Sequence, residues 1–191
     1  MSHYFYAVAS LPSLYYETES FMTPEDFLEF CRYQLSDADF AEISSLSLLP
    51  QAEGGRTEVG KKYYRFERGL RNALVRLRAA RLGIDALDFV ATTRSGNDYS
   101  DDMTAAELAR AAFNAATPIL SEEILDRGRW DMFAQLEAGN FFNLDVLVIY
   151  HFRLLLLTKK SSRNHDTGRA GYESVYGNMT ESMKNTGIVG A

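Results

Sequence analysis

The stretch TEVGKKYYRFERGLRNALVRLRAARLG, residues 57–83, decides the fold of this chain. Its apolar residues recur at three- and four-residue spacing, which places them along one side of an α-helix. Gly83 marks the end, because glycine readily takes the left-handed conformation that terminates a helix. We therefore expect one long helix from about Thr57 to Leu82. Its apolar stripe would consist of Tyr63, Phe66, Leu70, Ala73, Leu74, Leu77 and Ala80.

The same helix carries a separate basic face. Projected at about 100° per residue, several of its cationic side chains point away from the apolar stripe. Residues 56–83 contain nine basic and two acidic residues, whereas residues 1–55 contain nine acidic residues and one basic residue. This asymmetry predicts either a surface for an acidic protein partner or an internal pairing with the acidic N-terminal part, and the sequence leaves both open. The candidate interface residues are Lys61, Arg65, Arg68, Arg71 and Arg76.

Two short helices are predicted before the long one. Thr23 can cap a helix that begins at Pro24 and runs to about Gln34, because proline suits the first helical position. Ser36 repeats the capping pattern and predicts a second helix that ends near Leu46. The conformation of the aromatic segment that precedes both helices, residues 3–14, is left open.

Two further helices are predicted after the long one. Thr104 with Glu107 has the spacing of a capping box and would open a helix that runs to about Ala116. The acidic run Ser121-Glu122-Glu123 would cap or bend the next helix, which should close near Gly139.

The most apolar stretch predicts the central helix of the fold. Asn143 can cap it, and its hydrophobic residues point all round, so it must be buried on every side. Three polar residues interrupt residues 144–158, which are also fewer than the ~20 residues that a membrane-spanning helix requires. Asp145 suits the positive end of the helix dipole, and Arg153 needs an acid from another helix or from a partner protein. The buried polar candidates are Asp145, His151 and Arg153.

These elements predict an all-α fold, a single domain of about six to eight helices over residues 1–177 with a flexible tail at 178–191. A further short helix is expected at about 167–176. The single cysteine, Cys31, lies in an apolar helical pattern and is expected to be a buried small hydrophobe, as suits a reducing cytoplasm. The N-terminus shows no pattern of a secretory signal, so we expect a cytoplasmic protein.

One segment partly matches a phosphate-binding loop. Residues 55–61 have the spacing Gly-x-x-x-x-Gly-Lys, but Lys62 stands where a serine or threonine should hold magnesium. The preceding run, residues 46–49, is also a poor candidate for the buried strand that launches such a loop. We therefore interpret the segment as a flexible loop that leads into the basic helix.

No other pattern predicts catalysis, a metal or a cofactor. The histidines His3, His151 and His165 are scattered, and none has a partner at metal-ligand spacing. The adjacent acids Asp101 and Asp102 would point about 100° apart on a helix, so they do not form a catalytic pair. The chain is acidic, with a net charge of −6, and its basic face lacks interleaved aromatic residues, so nucleic acid is not expected as a partner. We expect no catalytic residue, metal, cofactor or small-molecule substrate.

Three segments resemble a family of bacterial proteins encoded alongside V-type ATPase subunits. They are HYFYAVASLP at residues 3–12, RWD at 129–131, and FFNLDVLVIY at 141–150 with the Arg153-Leu154 pair that follows. The resemblance spans most of residues 3–176. Its most specific parts are the aromatic Ser-Leu-Pro opening and the Leu-Asp-x-x-x-x-Tyr-x-x-Arg-Leu run on the central helix.

That family is similar to a short form of the V-type ATPase C subunit, called subunit d in eukaryotes. The C subunit is an all-helical peripheral part that couples the central stalk to the membrane ring, and it is longer than this chain. The resemblance implies a non-catalytic cytoplasmic subunit, or an accessory or assembly factor, of a bacterial V-type ATPase that transports protons or sodium. It implies other ATPase subunits as partners, no direct membrane insertion, and peripheral membrane association through the complex. A second class stays open, a stand-alone helical regulatory or ligand-binding protein.

Overall fold

The computed structural model describes residues 4–18, 20–50, 55–92 and 102–163, and these contain seven α-helices and no β-strand. The predicted all-α class is confirmed. The chain divides into two compact units, residues 1–157 and 158–191, and only 158–163 of the second are described. The helices are α1 (Tyr4–Ala9), α2 (Pro24–Gln34), α3 (Asp37–Ser45), α4 (Glu58–Leu82), α5 (Met103–Phe113), α6 (Pro118–Glu137) and α7 (Leu144–Ser161).

Capping side chains begin α2, α3, α4 and α7, and those at Thr23, Ser36 and Asn143 are predicted from the sequence. Thr23 Oγ1 accepts from the Asp26 amide at 3.1 Å, and the Asp26 carboxylate accepts from the Thr23 amide in return. Thr57 caps α4 through the Gly60 amide, and Asn143 caps α7 through the Val146 amide. These contacts satisfy backbone donors that have no partner inside the helix, so they fix where each helix begins.

Two predicted helix starts are wrong. Asp102, not Thr104, caps α5, since its carboxylate accepts from the Ala105 amide at 3.0 Å. Thr117 caps α6 ahead of a proline at the first helical position, and the acidic run at 121–123 lies inside this helix without interrupting it. The Thr117-Pro118 pair has the same capping chemistry as Thr23-Pro24, so the correct start was readable from the sequence.

Helix α7 lies in the core of the fold, as its all-round apolar pattern predicts. The ring of Phe152 lies 4.5 Å from that of Tyr63 on α4 and 5.5 Å from that of Phe133 on α6. Phe27 on α2 packs against Tyr150, with 5.1 Å between the ring centroids. Aromatic side chains from three helices thus surround α7 and supply much of the buried apolar area.

Helix α4 is buried over a wider arc than its apolar stripe. Ala80 was expected in the stripe but is exposed, whereas Ala79 and Asn72 are buried. The Asn72 side chain both donates to and accepts from the Ala91 backbone, at 2.7 and 2.9 Å. The chain that follows α4 therefore returns along the side of the helix opposite the stripe, a tertiary contact that helical periodicity does not report.

Close packing joins α5 to α6. A Cβ atom placed on Gly128 would lie 2.3 Å from Leu108 Cδ2, closer than any real contact. Elsewhere in the core, Cys31 is fully buried as predicted, and burial raises the pKa of its thiol to about 12. No helix in the described ranges combines the length and the apolar character needed to cross a bilayer.

Some sequence-based expectations fall outside the described residues. They are the short helix at 167–176, the domain boundary at residue 177 and the tail that follows it. His3 and His165 also lie outside the described ranges.

Candidate interaction surfaces

A buried cluster of charges links α4 to α6. Arg129 donates from Nε to Glu67 Oε2 and from its NH2 group to Glu67 Oε1, both at 2.9 Å. It also donates to Asp126 Oδ1 at 2.9 Å. Arg71, one turn after Glu67, donates to the same carboxylate at 2.9 Å. Sequence reasoning named only Arg71, because Glu67 and Arg129 lie 62 residues apart and no local spacing connects them.

Within this cluster each charge has a partner. Burial disfavours the charged form of Arg129, but the hydrogen bonds and the negative charge of Glu67 outweigh that effect and raise the pKa of the guanidinium. A guanidinium held by two carboxylates stays charged and has little tendency to exchange protons. The cluster therefore links α4 to α6 through buried ion pairs.

The three polar candidates on α7 have three different environments. His151 is buried and stacks on Phe27, with 5.5 Å between the ring centroids. Arg153 pairs with Glu137 on α6 at 2.8 Å and lies over the Trp130 ring. Asp145, like Arg153, is only half-buried, and of the three His151 is the one that is fully buried. None of the three contacts another in a way that would form a reactive group.

Asp145 lies at the start of α7 and contacts the first turn of α4. Its carboxylate accepts from the Val59 amide at 3.4 Å, and Glu42 Oε1 accepts from the amides of Arg56 and Thr57 at 2.5 and 3.1 Å. These amides lie in the segment that partly matches a phosphate-binding loop. Two carboxylates of the chain itself already hold them, and their charge disfavours a phosphate at the same place.

The predicted basic face is only partly open to solvent. Arg65 is exposed, and Lys61 is exposed with its amine 2.8 Å from Glu58 on the same helix. Arg71 is tied to Glu67 by the buried cluster. Arg68 and Arg76 are half-buried and make contacts of their own. Arg68 and Arg76 are therefore less open to solvent than the helical projection predicts.

An aromatic patch lies where α1 meets the start of α7. The rings of Phe5 and Phe142 are 4.5 Å apart, and Phe141 directly precedes Phe142 in the chain. Phe5, Phe141 and Phe142 are 58%, 72% and 43% exposed, respectively. Large aromatic side chains left in water at one place are typical of protein-binding surfaces. We call these three residues the aromatic patch.

A second surface feature is a groove between the C-terminal end of α4 and the junction of α5 and α6. Its volume is about 410 Å³. Arg78 and Arg81 border it from α4, and Arg81 also lies over the Phe113 ring at 5.8 Å. Its apolar lining includes Leu74, Leu82, Phe113 and Pro118. We call it the arginine groove.

Within the described residues, no three side chains of histidine, cysteine, aspartate or glutamate lie close enough to hold a metal ion. Comparison of the chain with protein-family models, with curated proteins and with solved structures finds no match.

Proposed function

We propose that this chain is a non-catalytic protein-binding component of a bacterial V-type ATPase, either a C-subunit-like part or an accessory or assembly factor. The partner class rests on the resemblance of three segments to proteins encoded alongside V-type ATPase subunits. The binding role rests on the surface, and above all on the aromatic patch. In this role the chain would act in the cytoplasm and reach the membrane through the complex.

The three segments that carry the resemblance contact one another in the fold. Phe5 of the first packs on Phe142 of the third, and the Tyr150 hydroxyl of the third donates to the Pro12 carbonyl of the first at 3.0 Å. Trp130 of the second lies beneath Arg153 of the third. These segments therefore belong to one structural unit, which supports treating them as a single pattern.

The aromatic patch is the observation that supports a binding role most strongly. Two of its residues, Phe5 and Phe142, come from elements far apart in the chain and pack on each other, yet each keeps a large fraction of its ring in water. A folded protein gains by burying such rings, and a partner surface would do so. Replacing these rings with alanine should therefore weaken the affinity for the partner more than it lowers the free energy of unfolding.

Binding of the purified chain to purified V-type ATPase subunits, measured by biolayer interferometry, tests this proposal. The Phe5→Ala/Phe141→Ala variant should weaken binding to one subunit by about tenfold or more, as expected for loss of interface hot spots. The matched control is Phe21→Ala, which removes a fully exposed phenylalanine outside the patch and should leave the affinity unchanged.

Two results would count against the proposal. If the folded wild-type chain binds no ATPase subunit, the proposed partner class is wrong. That result would favour the alternative of a stand-alone regulatory or ligand-binding protein. If it binds but Phe21→Ala weakens binding as much as the patch variant does, the aromatic patch is not the interface.

A further inference from the structure

The arginine groove combines an apolar floor with a positively charged rim. Arg78 and Arg81 follow Leu74 by four and seven residues, both helical spacings, so they continue the buried side of α4 beyond the core. The apolar floor comes from α4, α5 and α6 and includes Leu74, Phe113 and Pro118. The stripe that packs the core therefore ends in two arginines at an open groove.

Among the described residues, no acidic side chain lines this groove. Arg78 is exposed and has no carboxylate partner in the same part of the chain, and Arg81 is exposed and lies over the Phe113 ring. This positive rim lies on a chain whose net charge is −6. An acidic ligand would be attracted to this rim, and the apolar floor beside it would bury the ligand's apolar side.

We propose that the arginine groove binds an amphipathic helix of a partner protein, with its apolar side on the floor and its acidic side chains against Arg78 and Arg81. Helices form all three walls, and the described residues present no sheet edge to which a strand could add. A helix laid in an apolar groove is the mode of recognition that these walls favour. The inference rests on the proposed protein-binding function and names the chemistry of one partner segment.

This surface is separate from the aromatic patch. Helix α7 begins beside the N-terminal end of α4, where Asp145 contacts Val59. Arg78 lies about 30 Å further along α4, at roughly 1.5 Å per residue. The chain would thus bind one partner segment near each end of its longest helix, an arrangement that suits a protein that links two partners.

The test uses three fluorescein-labelled synthetic peptides of equal length, and fluorescence anisotropy of each with the full chain. One peptide carries leucines at helical spacing with glutamates on the flanks. The second has lysines in place of the glutamates, and the third has the glutamate composition in scrambled order. The glutamate peptide should bind at least about tenfold tighter than either of the others, and its affinity should fall as salt is raised.

The Arg78→Glu/Arg81→Glu variant should reverse this preference and bind the lysine peptide better. The matched control is Arg65→Glu, which reverses an exposed arginine on the same helix away from the groove and should keep the wild-type preference. Because both groove arginines lie at the surface, circular dichroism should show the wild-type helix content. If the double variant unfolds, Arg78→Gln alone should still weaken binding of the glutamate peptide.

Three outcomes would overturn the inference. They are equal binding of the glutamate and lysine peptides, equal binding of the scrambled peptide, and an equal effect of Arg65→Glu. Each would leave the aromatic patch and its ATPase partner untouched, because that proposal is tested with different variants and purified subunits. Conversely, if the chain binds the glutamate peptide selectively but binds no ATPase subunit, the inference about the arginine groove stands and the proposed V-type ATPase partner is wrong.

Discussion

Arg129 on α6 donates two hydrogen bonds of 2.9 Å to the carboxylate of Glu67 on α4, and the two side chains are 8% and 0% exposed. Removal of the guanidinium would take one cation from two buried carboxylates, Asp126 and Glu67, and leave Arg71 on Glu67. We predict that Arg129→Met lowers the free energy of unfolding by about 3–5 kcal/mol, because breaking a buried ion pair by removing one partner is costly. Urea denaturation measures this.

A neighbour on the same helix provides the control. Arg127 pairs with Glu17 at the surface, where the two side chains are 50% and 66% exposed. Arg127→Ala should cost no more than about 1 kcal/mol, since exposed ion pairs contribute little. A loss below about 1 kcal/mol for Arg129→Met would show that the buried cluster does not hold α4 to α6.

His151 should make the fold sensitive to acid. Burial lowers the pKa of this histidine to about 4, and the negative charge of Glu25 acts in the opposite direction. The unfolded chain therefore binds the proton first, near its ordinary pKa of about 6.5. The contribution of neutral His151 to the free energy of unfolding is therefore fully present above that pH. It is lost as the pH drops towards 4, by roughly 3 kcal/mol in total.

The His151→Leu variant isolates this effect. Its unfolding free energy should match or exceed that of the wild type at pH 7, since the Nδ1 atom of His151 has no hydrogen-bond partner in the described part of the chain. The difference between the two proteins should widen as the pH is lowered from 6.5 to 4. Because both keep the same carboxylates, a difference that stays constant over this range would contradict the assignment to His151.

Gly128 should be required only because of Leu108. Gly128→Ala would gain up to about 1 kcal/mol in helix propensity, but its Cβ would overlap the leucine side chain, and overpacking costs about 1–3 kcal/mol. We therefore predict a net destabilisation in the wild type. In a Leu108→Ala background the same substitution should stabilise the protein, and thermal unfolding of the four proteins measures the change of sign. Destabilisation in both backgrounds would place the constraint elsewhere.

Local chemistry in the sequence was enough to place most of the helices. Thr23, Ser36, Thr57 and Asn143 cap helices as their side chains predict, and Gly83 ends α4 with a φ of 69°. Such contacts involve residues a few positions apart, so they are visible in the chain itself. The start of α6 was missed although its Thr117-Pro118 pair carries the same information.

The surfaces were less predictable, because they depend on which helices meet. Helical periodicity placed Arg68 and Arg76 in solvent, but both are half-buried in the folded chain. Periodicity also gave no reason to join Phe5 to Phe142, or Glu67 to Arg129. Contacts between residues so far apart in sequence follow from the tertiary packing and not from any local spacing.

Membership of this chain in a V-type ATPase, which we propose, can be tested by co-fractionation of the untagged protein. Membranes of the native cell are solubilised in mild detergent and separated by size, and each fraction is quantified by mass spectrometry. We predict that the chain elutes with the ATPase subunits at a constant ratio to at least one of them. Elution apart from every ATPase subunit in all fractions, with the ATPase itself intact, would contradict the claim.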